Sequence, residues 1–381
     1  MEVDRGEVAG MEPAAAARVL VVNAGSSTLK LRVLTGGDEV AAAADLPAPR
    51  GTADGAAIKE AIESFGPVDA AGHRVVHGGT LYAAPVLVTA EVRRRLESLT
   101  DLAPLHQPKS LAALDAVQAV LPEVPAVACF DTAFHATIGA AAATFALPAE
   151  WRTRWTLRRY GFHGLSHAYA SRRAAELLGR QPAGLRVVTC HLGAGASLAA
   201  VHSGRSVDTT MGFTPLDGLV MATRSGSVDP GLVLWLEEHA HTPPAELAAT
   251  LEYRSGLLGL AGTDDMREAL ARAAAGDPRA VLGREVYLHR LRACVAAMAA
   301  AMDGLDALVF TGGVGENSAE IRSRAADGLG FLGVRLDGQR NVPAGHGDDW
   351  EIGADGSPVR SFVIAAREDK QIAAEVRSVL G

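Results

Sequence analysis

Arg74 stands inside Gly72-His73-Arg74-Val75-Val76-His77-Gly78-Gly79, a run that otherwise reads as a buried strand. A guanidinium in such a place needs an anion, supplied either by the protein as an ion pair or by a ligand. Arg224, in Ala222-Thr223-Arg224-Ser225-Gly226, poses the same choice. Two such forks directed at one substrate suit a phosphoryl group moving between oxyanions. Asp131 follows the apolar run of residues 124–130, which puts a carboxylate at the carboxyl end of a strand, where functional groups of α/β sheets gather. His163 lies on a glycine-flanked turn in Tyr160-Gly161-Phe162-His163-Gly164, where a structural and a ligand-facing imidazole are both admissible. Asp, His and Ser together could also suggest a hydrolytic triad, but the sequence has no Gly-x-Ser-x-Gly elbow.

One kind of segment occurs twice. Residues 19–33 and 187–201 each read as a β-branched strand, a turn of small residues and a second strand. The turns, around Asn23-Ala24-Gly25-Ser26 and His191-Leu192-Gly193-Ala194-Gly195, leave bare backbone N–H groups able to face an anion. Lys30 adds a point charge beside the first. A third Gly-rich turn, residues 311–317, follows the apolar run 307–310. Three such turns fit a nucleotide held in a cleft between two related halves. No Walker loop, HExxH or CxxC occurs, and no Gly-x-Gly-x-x-Gly follows a strand in Rossmann fashion, so a nucleotide would need another scaffold.

These residues need a frame. Strands are expected at 19–22, 29–34, 71–76, 124–130 and 307–310, with a second hairpin across 186–201. Helices are expected at 56–65, 90–99, 109–121, 165–178, 232–240, 244–253, 266–275 and 279–302. Strands and helices alternate, which argues α/β architecture with largely buried sheets. At 381 residues, two domains are the prior. The net charge of −8 disfavours nonspecific nucleic-acid or membrane binding, though local arginines can still receive an anionic substrate. Three unpaired cysteines, the lack of a signal peptide or long apolar span, and an acidic, Ala-rich start at 1–17 suggest a cytoplasmic protein with a disordered tail.

Taken together, residues 23–30, 72–79, 102–106, 130–135, 160–167, 191–197, 208–218, 223–226, 255–259 and 311–317 resemble the acetate kinase family. That family belongs with sugar kinases, Hsp70 and actin. The resemblance implies a two-domain actin-like ATPase fold, each domain a duplicated ribonuclease-H-like unit, with an interdomain cleft. Residues 18–132 plus 368–381 would form the N-terminal lobe and 133–367 the C-terminal nucleotide-binding lobe. It implies reversible phosphoryl transfer from ATP to acetate, giving acetyl phosphate and ADP, with Mg2+ or Mn2+ and usually in a homodimer. Arg74 and Arg224 would bracket the acetate carboxylate and the moving phosphoryl, His163 would stabilise its equatorial oxygens, and Asp131 would belong to the catalytic centre. Asn23 and Glu368 would serve the metal, and Val76, Leu105, Phe162 and Pro215 the acetate methyl. Lys30, His191, Gly193, Ala194 and Gly195 would face ATP phosphates. Asp265, Met266, Arg267, Gly312, Gly313, Val314, Gly315 and Asn317 would complete the ATP site.

The chain departs from the family pattern in places. Ala194 and Ala196 replace the Asn and first Ser of His-Leu-Gly-Asn-Gly-Ser-Ser, withdrawing an amide and a hydroxyl from phosphate and predicting weaker ATP binding or an altered phosphate geometry. Ser227 stands where an acid is common, Gln107 where Asn is, and Arg367-Glu368-Asp369 where Asn-Glu-Glu is. A kinase for propionate or another short acid has the same core, because one methylene discriminates by only about 1–3 kcal/mol. A reading of another class is a non-catalytic, nucleotide-switched module.

Overall fold

The computed structural model describes residues 17–25, 28–49, 53–104, 106–342 and 349–381. The chain divides into two compact units, Met1–Ala133 with Arg367–Gly381, and Phe134–Ala366. The expected tail at 1–17 and Leu105 fall outside the described residues, apart from residue 17.

The first unit holds β1 (Val19–Ala24), β2 (Thr28–Leu34), β3 (Val40–Pro47), β4 (Ala70–Val75), β5 (Val86–Leu87) and β6 (Ala126–Phe130). Their order is β3-β2-β1-β4-β6-β5. β1 and β2 pair antiparallel from Val19↔Leu34 to Ala24↔Leu29, while β1, β4 and β6 run parallel. One face of the sheet buries Leu20, Val22, Leu31 and Val33 against Ile58 and Ile62 of helix Gly55–Phe65 and Val117 of helix Gln107–Val120. Asp54 starts the first of those helices by accepting from Ala56 N–H, and Gly66 follows its end with φ 76°. Full burial of each isoleucine is worth about 1.5–3 kcal/mol. Helix Glu368–Leu380 returns to this unit and packs onto β4. A Cβ at Gly72 would meet Ile372 at 2.5 Å and Val376 at 2.6 Å, so only glycine allows that approach.

The second unit holds β7 (Arg186–Leu192), β8 (Ala196–His202), β9 (Arg205–Thr209), β10 (Ala307–Thr311), β11 (Trp350–Glu351) and β12 (Arg360–Val363). Their order is β11-β12-β10-β7-β8-β9. The topology repeats that of the first unit: an antiparallel meander of three strands, two further strands parallel to its first, and a short antiparallel edge strand. This duplicated α/β unit is the basis of the two-domain actin-like ATPase fold. Val187, Val309 and Phe362 form its core with Tyr169, Ala170 and Ala174 of helix Gly164–Leu177. Helix Pro278–Ala300 starts from Asp277, whose carboxylate accepts from Arg279 and Ala280 N–H.

Several elements differ from the sequence reading, among them β5, β9, β11, β12 and helices Ala149–Trp155, Gly256–Ala261 and Ala319–Asp327, none of which was expected. The Ala-rich β3 was not expected, since Ala has weak strand preference; its ladder to β2 fixes it. Residues 311–317 are not a turn: Gly312–Asn317 is a short helix directly after β10. Gly312 has φ 79°, and a Cβ there would lie 2.8 Å from the Leu192 carbonyl oxygen. Among the described residues no helix is long and apolar enough to cross a membrane.

Candidate active site

In the first unit, β4 and β6 place Arg74 and Asp131 side by side. Arg74 Nε donates to Asp131 Oδ1 at 3.0 Å and Nη2 donates to Oδ2 at 2.6 Å. Arg74 Nη1 donates to Asn23 Oδ1 at 3.2 Å, and Asn23 Nδ2 donates to Glu368 Oε2 at 2.7 Å. Four side chains from β1, β4, the end of β6 and the start of the last helix are thereby linked. Burial pushes the guanidinium down, but the charges of Asp131 and Glu368 outweigh it and hold Arg74 above its ordinary value. Burial likewise pushes Asp131 up, against the pull of Arg74. The anion demanded by Arg74 is thus present in the protein itself.

Asn23 and Glu368 offer an amide and a carboxylate oxygen, the hard donors that Mg2+ accepts. Among the described residues no group of three or more His, Cys, Asp or Glu side chains could hold a metal alone. An ion that arrives on phosphate oxygens needs only one or two protein oxygens, so this donor set fits it. Lys30 is exposed on β2 directly opposite Asn23, which puts both side chains on one face.

In the second unit, His163 has φ 56° and stands at the entry of helix Gly164–Leu177. A left-handed non-glycine residue at such a junction is a strained position that the surrounding structure must hold. Its Nδ1 lies 2.9 Å from Ser197 Oγ, and its ring stacks on His191 with centroids 4.4 Å apart. His191 Nδ1 lies 2.8 Å from Ser166 Oγ. Behind them His167 Nε2 lies 2.8 Å from the same Ser197 hydroxyl, and His167 Nδ1 lies 2.7 Å from Thr189 Oγ1. His135 Nε2 donates to the Phe162 carbonyl at 3.0 Å. Burial lowers His135 to about 4, with that carbonyl opposing.

Arg224 Nε donates to Glu252 Oε1 at 2.8 Å and Nη1 donates to the Pro215 carbonyl at 3.2 Å. The loop between β7 and β8 lies beside both Arg224 and His163. A Cβ on Gly195 would sit 3.3 Å from His163 Nε2 and 3.5 Å from Arg224 Nη1. Backbone N–H, imidazole and guanidinium therefore surround one bare glycine, a donor set for an oxyanion.

A hollow of about 900 Å³ opens next to this loop. Gly193, Ala194, Asp265, Met266, Arg267, Gly313, Val314 and Asn317 line it, as do Met221 and Tyr287, which the sequence did not single out. His191, Gly195, Gly312 and Gly315 lie off its wall, and Lys30 belongs to the first unit. Ala194 is exposed, whereas Ala196 is fully buried opposite Leu192 in the β7–β8 ladder. The missing hydroxyl at 196 thus falls on a packing position, contrary to the expectation that both alanines withdraw groups from phosphate.

Val76 and Phe162 are buried and Pro215 is half-buried. Gln107 is buried and satisfied: it accepts from His77 N–H at 3.2 Å and donates to the His77 and Leu96 carbonyls. Ser227 donates to Asp217 at 2.6 Å. Sequence reasoning missed Glu252 and Thr189. Glu252 lies 28 residues from Arg224, where no local pattern could reveal it; Thr189 reads as one more β-branched strand residue.

A model of the acetokinase family matches residues 50–374. The chain is 42% identical to an acetate kinase of Nostoc punctiforme, covering 95% of this chain and 99% of that protein. Among solved structures, acetate kinase of Porphyromonas gingivalis superposes with a TM-score of 0.88 at 35% identity, covering 96% of this chain and all of that one. A propionate kinase of Francisella tularensis gives 0.86 at 36% identity, with 95% of this chain and all of that one covered.

Proposed function

The chain belongs to the acetokinase family, and from that premise we propose how it works as an acetate kinase, a phosphotransferase with a carboxylate acceptor. Acetate and ATP are the substrates. The acetate carboxylate attacks the γ-phosphorus directly, so no protein nucleophile is required. The chain must align two anions and neutralise the charge spread over the phosphoryl oxygens. Arg74, held rigid by Asp131, and Arg224, held by Glu252, receive the carboxylate and the phosphoryl. His163 donates to the equatorial oxygens, and the N–H groups of Ala194 and Gly195 receive the nucleotide phosphates, while the Gly193 N–H closes the loop on the Gly195 carbonyl at 3.0 Å. By the family resemblance, Val76, Phe162 and Pro215 would serve the acetate methyl. Asn23 and Glu368 would hold Mg2+, which when bound neutralises phosphate charge.

One observation carries this reading: the Gly195 backbone flanked by His163 and Arg224, each within 3.5 Å of its absent Cβ. Trapping acetyl phosphate with hydroxylamine tests it, since ATP and acetate should yield the acyl hydroxamate. Absence of the hydroxamate would favour the nucleotide-switched module.

The likeness to the propionate kinase favours a second reading, in which propionate is preferred. Comparing kcat/KM for acetate, propionate and butyrate decides between them.

Self-association belongs to the same proposal. Helix Pro230–His239 buries none of its residues, yet Leu232, Leu234 and Trp235 are each about half exposed. Such a face suits a second copy of the chain. Free, buried Cys129 and Cys190 suit a reducing, cytoplasmic setting.

A further inference from the structure

Ser197 holds two imidazoles with one hydroxyl, and the direction of its proton decides the state of His163. The chain of contacts runs from Thr189 Oγ1 to His167 Nδ1, from His167 Nε2 to Ser197 Oγ, and from Ser197 Oγ to His163 Nδ1. Burial, with the charges of His135 and His191, holds His167 well below its ordinary value, so it is neutral and carries one ring proton. Two arrangements satisfy the middle of the chain. In one, His167 donates from Nδ1 to Thr189, and Ser197 donates back to His167. The Thr189 hydroxyl is fully buried and has no other partner among the described residues, so its own proton would then be left without an acceptor. In the other, Thr189 donates to His167 Nδ1, His167 Nε2–H donates to Ser197, and Ser197 donates to His163 Nδ1. The Thr189, His167 and Ser197 protons then each have an acceptor.

We propose that Thr189, His167 and Ser197 are positioning residues that lock His163 as the neutral tautomer protonated at Nε2, the edge beside Gly195. His163 then presents an N–H to an oxyanion without needing the imidazolium form. Among the described residues, the charged and titratable groups that face it include His191, stacked at 4.4 Å, His167 behind Ser197, and Arg224 across Gly195. The consequence for turnover rests on the reading above that His163 touches the transferred phosphoryl; the tautomer does not.

Nitrogen NMR of histidine-labelled, ligand-free protein reads the tautomer directly. The wild type should show His163 with a bare Nδ1 and a protonated Nε2 at pH 7. Ser197→Ala should lose that fixed tautomer and lower kcat roughly tenfold to a hundredfold, with KM for ATP and acetate within about threefold. Thr189→Val should move both readouts the same way, and Thr189→Ser should restore them. A wild-type ring protonated at Nδ1 overturns the inference, and so does a tautomer unchanged in Thr189→Val. A fixed Nε2–H tautomer lost in Ser197→Ala with undiminished kcat would uphold the lock and overturn the contact between His163 and the phosphoryl.

Discussion

Arg74 and Asp131 meet through two parallel hydrogen bonds, Nε to Oδ1 at 3.0 Å and Nη2 to Oδ2 at 2.6 Å, with the carboxylate only 1% exposed. Such a grip fixes the plane of the guanidinium and leaves Nη1 directed at Asn23. The pair serves orientation more than stability, because desolvating both ions offsets much of their attraction.

Arg74→Ala should therefore cost activity and stability together. Turnover should fall at least about 100-fold, and the unpaired Asp131 should remove about 3–5 kcal/mol. Arg74→Met combined with Asp131→Leu should recover most of the stability and none of the turnover. Denaturant titrations beside the hydroxamate assay check both; a fully stable Arg74→Ala protein would contradict the account.

Residues 194 and 196 should separate cleanly. Ala194→Asn adds an amide on the exposed rim of the 900 Å³ hollow and should lower KM for ATP about two- to tenfold. Ala196→Ser places a hydroxyl in a fully buried ladder position and should cost about 1–3 kcal/mol with no gain in KM. Steady-state kinetics with varied ATP, plus melting curves, test the contrast.

Burial lowers His73, His77 and His135 to about 4 each. Between about pH 6.5 and pH 4 the unfolded chain binds protons that the folded chain refuses, so stability is lost as pH falls through that window. Each group contributes up to about 3 kcal/mol. Both ring nitrogens of His73 lack a partner among the described residues, so His73→Leu should raise stability and flatten the acid limb. A Tm that stays constant from pH 7 to pH 5 would refute this.

Val76 is 6% exposed, and truncating it opens space beside the expected acetate methyl. Val76→Ala should raise the propionate-to-acetate ratio of kcat/KM about tenfold, the scale of one methylene. An unchanged ratio would remove Val76 from the substrate pocket.

Trp235→Glu should convert the proposed dimer into a monomer on light scattering while circular dichroism stays native, because Trp235 is about half exposed and no residue of its helix is fully buried in its own subunit. A wild-type monomer would reject the surface.

The sequence alone determined many of the strands and helices near the site, though not helices Gly256–Ala261 and Gly312–Asn317. β-branched runs that end in Gly, Ser and Ala specify both hairpins, and helix Pro244–Tyr253 spans the residues that its periodicity marks. These are local properties, set by side-chain branching and by the alternation of apolar residues over a few positions. The Asp131 position at a strand end was legible for the same reason. The family resemblance supplied roles, and the residues carrying it lie in order along the chain.

Only the tertiary structure decided which groups touch. Asn23 meets Glu368 across 345 positions, Arg74 meets Asp131 across 57, and His163 shares a hydroxyl with His167 through Ser197. Whether Arg74 pairs with protein or ligand, and which way a proton points along Thr189, His167 and Ser197, depends on burial and on the count of available acceptors. Those quantities arise when sheets and helices pack, so no local pattern of residues contains them.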